Sequence, residues 1–172
     1  MIDATVIETA RLRLRPPSQA DFPAEATFLA SERARFVGGP MNAEEAWRSL
    51  ATILGHWVLR GYGFFAVEER STGAYCGRVG PWFPEGWPEP EIGWTVTGAA
   101  EGLGIAREAA EATRHHAYGT LGWATAISLI DAANTRSIAL AERLGCRYER
   151  EFDHARYGRM GVWRHPAPEA LQ

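Results

Sequence analysis

The segment best suited to chemistry is a glycine-rich turn between a predicted strand and a predicted helix, at residues 98–104. Amide groups in the first turn of a helix have no partner within the helix, and the helix dipole adds partial positive charge there. Gly102 and Gly104 have no side chains, so a phosphate could approach these N–H groups closely. The pattern favours a diphosphate site, although the same glycines could simply shape a tight connection.

The spacing of the turn disfavours a dinucleotide cofactor. The NAD and FAD fingerprint, GxGxxG, follows the first strand of its domain and precedes an acidic residue by about twenty positions. Here Arg107 stands where the third glycine would be, and the turn follows the fourth predicted strand.

Composition excludes several other kinds of site. All 18 basic residues are arginine, which rules out a Schiff-base lysine and the lysine of a phosphate loop. The two cysteines, Cys76 and Cys146, are too far apart for a CxxC motif and are expected to be reduced and buried. Adjacent His115 and His116 cannot share one helical face, so no metal is expected. No GxSxG elbow is present, so serine hydrolysis is not supported.

Length and charge describe one ordinary domain. The 172 residues are 46% hydrophobic and 23% charged, which is typical of a globular protein. A net charge of −3 gives no reason to expect a nucleic acid or an anionic membrane as partner. No apolar run is long enough to cross a bilayer and no secretory leader is visible, so a cytoplasmic location is expected.

Hydrophobic periodicity predicts the elements that hold the turn, in the order β-α-α-β-β-β-α-β-α-β-β. This order indicates an α/β domain with a mixed, mainly antiparallel sheet. The predicted helices cover about 18–35, 42–61, 105–118 and 134–145. The predicted strands lie around Leu12 and Leu14 and at 64–67, 75–79, 91–96, 123–130, 147–152 and 157–164. Four prolines predict a rigid loop at 80–90.

Four motifs, in this order, resemble the GNAT superfamily of acetyl-CoA-dependent N-acetyltransferases. They are Glu91-Ile92-Gly93-Trp94, Gly102-x-Gly104-x-Ala106, Asn134-x-x-Ser137 and Glu142-Arg143-Leu144-Gly145. The opening segment, 8–16, with Ala20-Asp21 after it, is similar to the start of the Rim-type branch, which includes acetyltransferases of ribosomal-protein N-termini. The resemblance implies a GNAT domain at 8–165, and the remaining residues, 166–172, are expected to form a flexible tail.

The resemblance implies acetyl-CoA as co-substrate and assigns residues to it. Backbone amides of the turn would hold its pyrophosphate, at Gly102, Leu103, Gly104, Ile105, Ala106 and Arg107. The strand end at Val96 and Thr97 would lie beside the pantetheine arm and offer an amide to the thioester carbonyl. Asn134 would face the co-substrate, cap its helix, or both.

The turn departs from the family at Glu101, where a carboxylate would repel a diphosphate. Arg107 could offset this charge by binding the anion. Alternatively, Arg107 forms a surface pair with Glu111 at i,i+4.

The resemblance also suggests catalytic residues. Glu91 matches a family carboxylate that could act as base or anchor a base water, although it could be purely structural. Ser137 could protonate or stabilise the leaving thiolate, or bond back to the carbonyl of Ala133. Ala141 stands where many family members have a tyrosine acid, so that mechanism is not available from this position.

Trp82 and Trp87, in the proline-rich segment, could line the acceptor site, form a homodimer patch, or plug the sheet. The sequence therefore favours an enzyme that moves an acetyl group to a primary amine, either a protein N-terminus or a small molecule. The alternative is a weakly active or inactive module of the same fold that binds an acyl-CoA or a protein.

Overall fold

Eight strands form one sheet in the order β1-β2-β3-β4-β5-β6-β8-β7. The computed structural model describes residues 5–171. The strands are β1 (Ile7–Glu8), β2 (Leu12–Arg15), β3 (Phe65–Glu69), β4 (Tyr75–Trp82), β5 (Glu91–Val96), β6 (Ile127–Ile130), β7 (Arg147–His154) and β8 (Gly158–Arg164). The helices are α1 (Phe22–Leu29), α2 (Ala43–Arg60), α3 (Ile105–Gly119) and α4 (Thr135–Arg143). Neighbouring strands are antiparallel except for β5 and β6, so the predicted mixed, mainly antiparallel α/β fold is confirmed.

Helix α2 forms where its end signals predict it. The Asn42 side chain accepts a hydrogen bond from the Glu45 amide at 3.0 Å, and the Glu45 carboxylate accepts one from the Asn42 amide at 2.9 Å. The helix ends at Gly61, whose φ of +77° suits glycine. Between these ends, Leu50, Ile53 and Trp57 are buried at helical spacing.

The predicted helix at 18–35 is wrong as one continuous element. Ser18 and Asp21 form a capping box on a short 3-10 turn, α1 follows, and a second 3-10 turn covers Glu32–Val37. The break falls at Ser31, which has extended backbone and donates its hydroxyl to the Phe28 carbonyl at 2.6 Å. A serine that bonds to the preceding turn in this way competes with the helix.

The predicted loop at 80–90 is wrong for its first three residues, because 80–82 belong to β4. Pro81 pairs with Ile92 of β5, whereas β3 begins only at Phe65, opposite Val79. Beyond Val79, therefore, β4 needs no ladder donors on its β3 side, and a proline is tolerated there. The predicted strand at 123–130 shortens to β6, and the two-residue β1 was not predicted.

Both cysteines are free and buried, as predicted. The tail contains a 3-10 turn at Pro168–Leu171, and the Tyr118 hydroxyl donates to the Pro166 carbonyl at 2.9 Å. Flexibility of the tail stays a prediction, and Gln172 lies outside the described residues.

The sheet opens between β5 and β6, whose parallel pairing consists of one register position, Glu91 opposite Ile127. A buried polar chain holds the two strands together at this point. Arg114 donates to His165 Nδ1 at 3.3 Å, so His165 Nε2–H donates to Ser128 Oγ at 2.9 Å. The Ser128 hydroxyl then donates to the Ile92 carbonyl at 2.6 Å.

Because of these buried hydrogen bonds, the free energy of unfolding at acid pH depends on His165. Burial and the nearby Arg114 charge lower the pKa of His165 to about 3. An unfolded histidine titrates near 6.5, so the unfolded state binds the extra proton first, and stability falls as the pH drops below that value. We expect the unfolding free energy to decrease by about 2 kcal/mol from this group between pH 7 and pH 5.

Urea titrations of the wild type and His165→Gln at both pH values test this expectation. The variant is less stable at pH 7 but loses less on acidification. Equal losses in the two proteins would contradict the role of His165.

Candidate functional site

A cavity of about 430 Å³ opens on the sheet beside the point where β5 and β6 separate. Strands β4, β5 and β6, helix α2, residues 36–41, the start of α4 and the β7–β8 turn all contribute to its walls. The predicted site residues on these walls are Trp82, Trp87, Glu91, Asn134 and Ser137. The other predicted residues, Val96, Thr97 and 102–107, lie outside this lining. The structure therefore places the candidate catalytic residues together and the predicted diphosphate turn apart from them.

Glu91 is buried at the start of β5 and joins the two separating strands. One carboxylate oxygen accepts the Leu129 amide of β6 at 2.9 Å, and the other accepts the Trp87 indole N–H at 2.5 Å. Burial raises the pKa of Glu91 to about 7, although both hydrogen bonds favour the anion. The side chain thus has a structural role and also the proton affinity of a general base at neutral pH.

Ser137 lies in the first turn of α4 and contacts β5. Its Oγ accepts the Trp94 indole N–H at 3.2 Å, and within residues 5–171 it makes no bond to the Ala133 carbonyl. Because the indole can only donate, the serine proton remains available to another acceptor. Asn134 caps the same helix by accepting the Ser137 amide at 3.3 Å, so its predicted capping role is confirmed.

The open edge of β5 carries backbone groups that are free to bind a ligand. The Thr97 amide donates to the Cys76 carbonyl at 2.9 Å and therefore faces β4. The Ile92 carbonyl accepts Ser128 on the opposite edge. Since alternate residues point to the same edge, the backbone groups of Trp94 and Val96 face the opening as well. Of the two predicted strand-end residues, Val96 rather than Thr97 offers its amide to this side.

The glycine-rich turn has the backbone conformation its sequence requires. Gly102 and Gly104 have φ values of +73° and +77°, which residues with side chains rarely adopt. The first hydrogen bond of α3 runs from the Glu108 amide to the Gly104 carbonyl, so the amides of 105–107 have no partner inside the helix. Arg11, which immediately precedes β2, fixes the turn by donating to the Leu103 carbonyl at 2.9 Å.

Two arginines that sequence analysis missed surround the carboxylate of Glu101. Arg33, from the 3-10 turn after α1, pairs with it, and Arg136 of α4 binds it at 2.6 Å. The hydrogen bond from Arg33 is the main reason that the pKa of Glu101 is lowered. The repulsion expected from Glu101 is therefore offset, because two cations accompany one anion beside the turn. Arg107 forms the alternative surface pair with Glu111 at 2.9 Å.

Aromatic side chains form the cavity wall around Glu91. The Trp82 ring stacks on His56 with centroids 4.3 Å apart, and burial lowers the pKa of that histidine. Trp87 lies edge-on to Trp82 and to Tyr157 of the β7–β8 turn, at 6.3 and 6.0 Å. Both tryptophans thus line the cavity, and their role in acceptor binding stays a prediction.

Within residues 5–171, no group of three or more histidine, cysteine, aspartate or glutamate side chains could hold a metal ion. In the same range no helix is long and apolar enough to span a membrane.

Two solved structures resemble this geometry. An acetyltransferase from Agrobacterium tumefaciens str. C58 is 34% identical, with 96% of both chains covered and a TM-score of 0.87. RimL, a ribosomal L7/L12 alpha-N-protein acetyltransferase solved in complex with coenzyme A, is 17% identical, with 95% of this chain and 98% of that chain covered. Its TM-score of 0.76 shows a shared fold.

Sequence comparison identifies the family. YkkB from Bacillus subtilis (strain 168) is 32% identical over 95 residues, which are 53% of this chain and 55% of YkkB. The chain therefore matches about half the length of this curated relative. A model of the acetyltransferase (GNAT) domain matches residues 11–147, most of the chain. The protein therefore belongs to the GNAT acetyltransferases, as its four motifs predicted.

Proposed function

We propose that this protein transfers the acetyl group of acetyl-CoA to a primary amine by direct attack of the amine on the thioester. The observation that carries the proposal is Glu91, a buried carboxylate with a pKa near 7 on the wall of a cavity at the sheet opening. The acceptor is a protein N-terminus or a small amine.

The turn before α3 fits the diphosphate of coenzyme A. The partnerless amides of 105–107 point out of the helix end, where the helix dipole favours an anion. The surface is open at Gly102, where nothing lies within 4 Å of a built Cβ, whereas Arg11 Nη2 lies 3.4 Å from the corresponding position at Gly104. Arg33 and Arg136 both pair with Glu101, and two cations with one anion leave net positive charge beside the turn. Along the open edge of β5, Trp94 and Val96 could bind an extended arm as an added strand would.

Glu91 prepares the acceptor for attack. A primary alkylamine is mostly protonated at pH 7, so its nitrogen has no free electron pair until a base removes a proton. Glu91 accepts this proton, directly or through one water, because its carboxylate is half ionised near neutral pH. The nitrogen then forms its bond to the carbonyl carbon as the carbon–sulfur bond breaks.

Ser137 donates a proton to the leaving thiolate. Its hydroxyl accepts from Trp94 and can therefore direct its proton toward the departing sulfur. The second amine proton restores the hydroxyl through solvent. The open backbone edge of β5 supplies an amide for the negative charge that develops on the carbonyl oxygen.

The base role predicts a pH profile that depends on Glu91. The kcat/KM of the wild type falls about tenfold per unit below pH 7, because the protonated carboxyl cannot accept a proton. Glu91→Gln lowers kcat/KM by about 10²- to 10⁴-fold and removes the fall of kcat/KM below pH 7. Release of the coenzyme A thiol measures the rate, with Glu151→Gln on exposed β7 as the control. If kcat/KM of Glu91→Gln still fell below pH 7 as it does in the wild type, Glu91 would be excluded as the base.

The proton-donor role predicts that Ser137→Ala lowers kcat more than it raises the dissociation constant for coenzyme A. A roughly tenfold loss of kcat is expected when one positioned proton donor is removed. Trp94→Phe breaks the same hydrogen bond but keeps the hydroxyl, so its loss is smaller. Equal kcat values in Ser137→Ala and wild type would limit the serine to packing α4 on β5.

The charge at the turn predicts weaker donor binding by Arg136→Gln. Calorimetry with coenzyme A should give a dissociation constant about three- to tenfold larger, and the difference should shrink in high salt. Arg143→Gln, in the last turn of the same helix, is the matched control. Equal affinities in both variants would remove Arg136 from the donor site. Binding of coenzyme A without turnover on any amine would instead favour the non-catalytic alternative.

A further inference from the structure

Two residues on one wall of the cavity each have a buried polar atom without a partner. Arg78 of β4 lies directly opposite Thr95 of β5 in the sheet, and both line the cavity. Arg78 Nε and Thr95 Oγ1 are buried and have no hydrogen-bond partner in the described chain. Such atoms are rare, because water is lost and no bond replaces it. The third one in residues 5–171, Thr113 Oγ1, lies on α3 outside the cavity lining.

The Arg78 guanidinium is fixed in place by other contacts. Glu25 of α1 and Ser49 of α2 both accept from its Nη1, at 3.4 Å in the case of Ser49. The second oxygen of Glu25 accepts the Tyr75 hydroxyl at 2.5 Å. Glu25 is therefore fully engaged, and it holds the guanidinium through one nitrogen only. The remaining donors are preorganised for an oxygen acceptor.

The two ends of the cavity differ in character. At one end Glu91 lies among Trp82 and Trp87, and four positions further along β5 lies Thr95, opposite Arg78. Four residues of a strand span about 13 Å. A ligand that reaches both ends meets a proton acceptor at the first and, at the second, the hydrogen-bond donors of a guanidinium that is ion-paired with Glu25.

Other charged residues on the walls leave this contrast in place. Arg48 and Arg156 add positive charge to the lining. The Glu45 and Asp131 carboxylates add negative charge, although each accepts a backbone amide, from Asn42 and Ala133, so these four charges balance in number.

We infer that the acceptor is an amine that also carries a carboxylate, and that Arg78 and Thr95 bind this carboxylate while the amine lies at Glu91. This inference rests on the proposed amine acetylation and names the class of acceptor. Both atoms lie beneath the cavity surface, so a small movement of the two side chains would let a carboxylate give Arg78 Nε and Thr95 Oγ1 the partners that the protein itself does not provide.

A matched series of acceptors tests the inference. The ω-amino acids from glycine to 8-aminooctanoate are compared with alkylamines of the same length, with acetyl-CoA as donor. At the best length, kcat/KM for the amino acid should exceed that for the alkylamine at least about tenfold, as a charged hydrogen bond provides. Equal or higher values for the alkylamines at every length would overturn the inference.

Calorimetry of the same pairs on protein saturated with coenzyme A separates this inference from the proposed function. If neither series is acetylated but the amino acid binds at least about tenfold more tightly, the carboxylate site stands and the proposed reaction fails. If neither turnover nor binding distinguishes the pairs, the carboxylate site is wrong.

Variants locate the effect. Arg78→Lys keeps a charge for Glu25 but loses Nε, so the ratio of kcat/KM for the amino acid to that for the alkylamine should fall. Because a change at buried Arg78 could impair folding, Thr95→Val provides a second test. It removes a partnerless hydroxyl without a large change in volume, so the protein stays folded and the preference falls several-fold.

Thr113→Val is the matched control, since it removes the same kind of partnerless hydroxyl on α3. Its acceptor preference should equal that of the wild type. The inference fails if Thr95→Val and Thr113→Val retain the same preference.

Discussion

The structure depends on one buried carboxylate that accepts a strand hydrogen bond at the point where β5 and β6 separate. Strands β5 and β6 share a single register position, and the Leu129 amide that follows it on β6 donates to Glu91 instead of a strand carbonyl. The side chain therefore closes the end of the opening, and the opening supplies both the cavity and the free edge of β5. The burial that this arrangement requires also raises the pKa of Glu91. The same carboxylate therefore joins the two strands and has the proton affinity that the proposed base needs.

A second constraint is the charge beside the glycine-rich turn. Arg33 belongs to residues 32–37, whose last members, Phe36 and Val37, line the cavity, whereas Arg136 belongs to α4, which also carries Ser137. Both arginines meet at Glu101, one residue before Gly102. The carboxylate thus connects the donor turn with two elements of the cavity wall. By itself, the charge of Glu101 is unfavourable for binding a diphosphate. However, Glu101 binds the two arginines whose charges compensate for it.

Local signals in the sequence predicted much of the fold. Helix α2 has a capping box, a buried stripe and a terminal glycine within its own segment, and Gly102 and Gly104 mark the turn before α3. The errors occur where distant contacts decide. Pro81 is tolerated in β4 because β3 begins too late to need its missing donor, which no local pattern reveals. Arg33 and Arg136 reach Glu101 from positions far away in the chain, and the pairing of Arg78 with Thr95 depends on strand register.

The proposed proton transfer requires that burial give Glu91 a pKa near neutrality. The most direct measurement is the pH dependence of the ¹³C chemical shift of its side-chain carboxyl, assigned by comparison with Glu91→Gln. A midpoint at about 7 is expected. A midpoint near the value of about 4.3 for an exposed glutamate would contradict it, because the carboxylate would then be too weak a base for the proposed proton transfer.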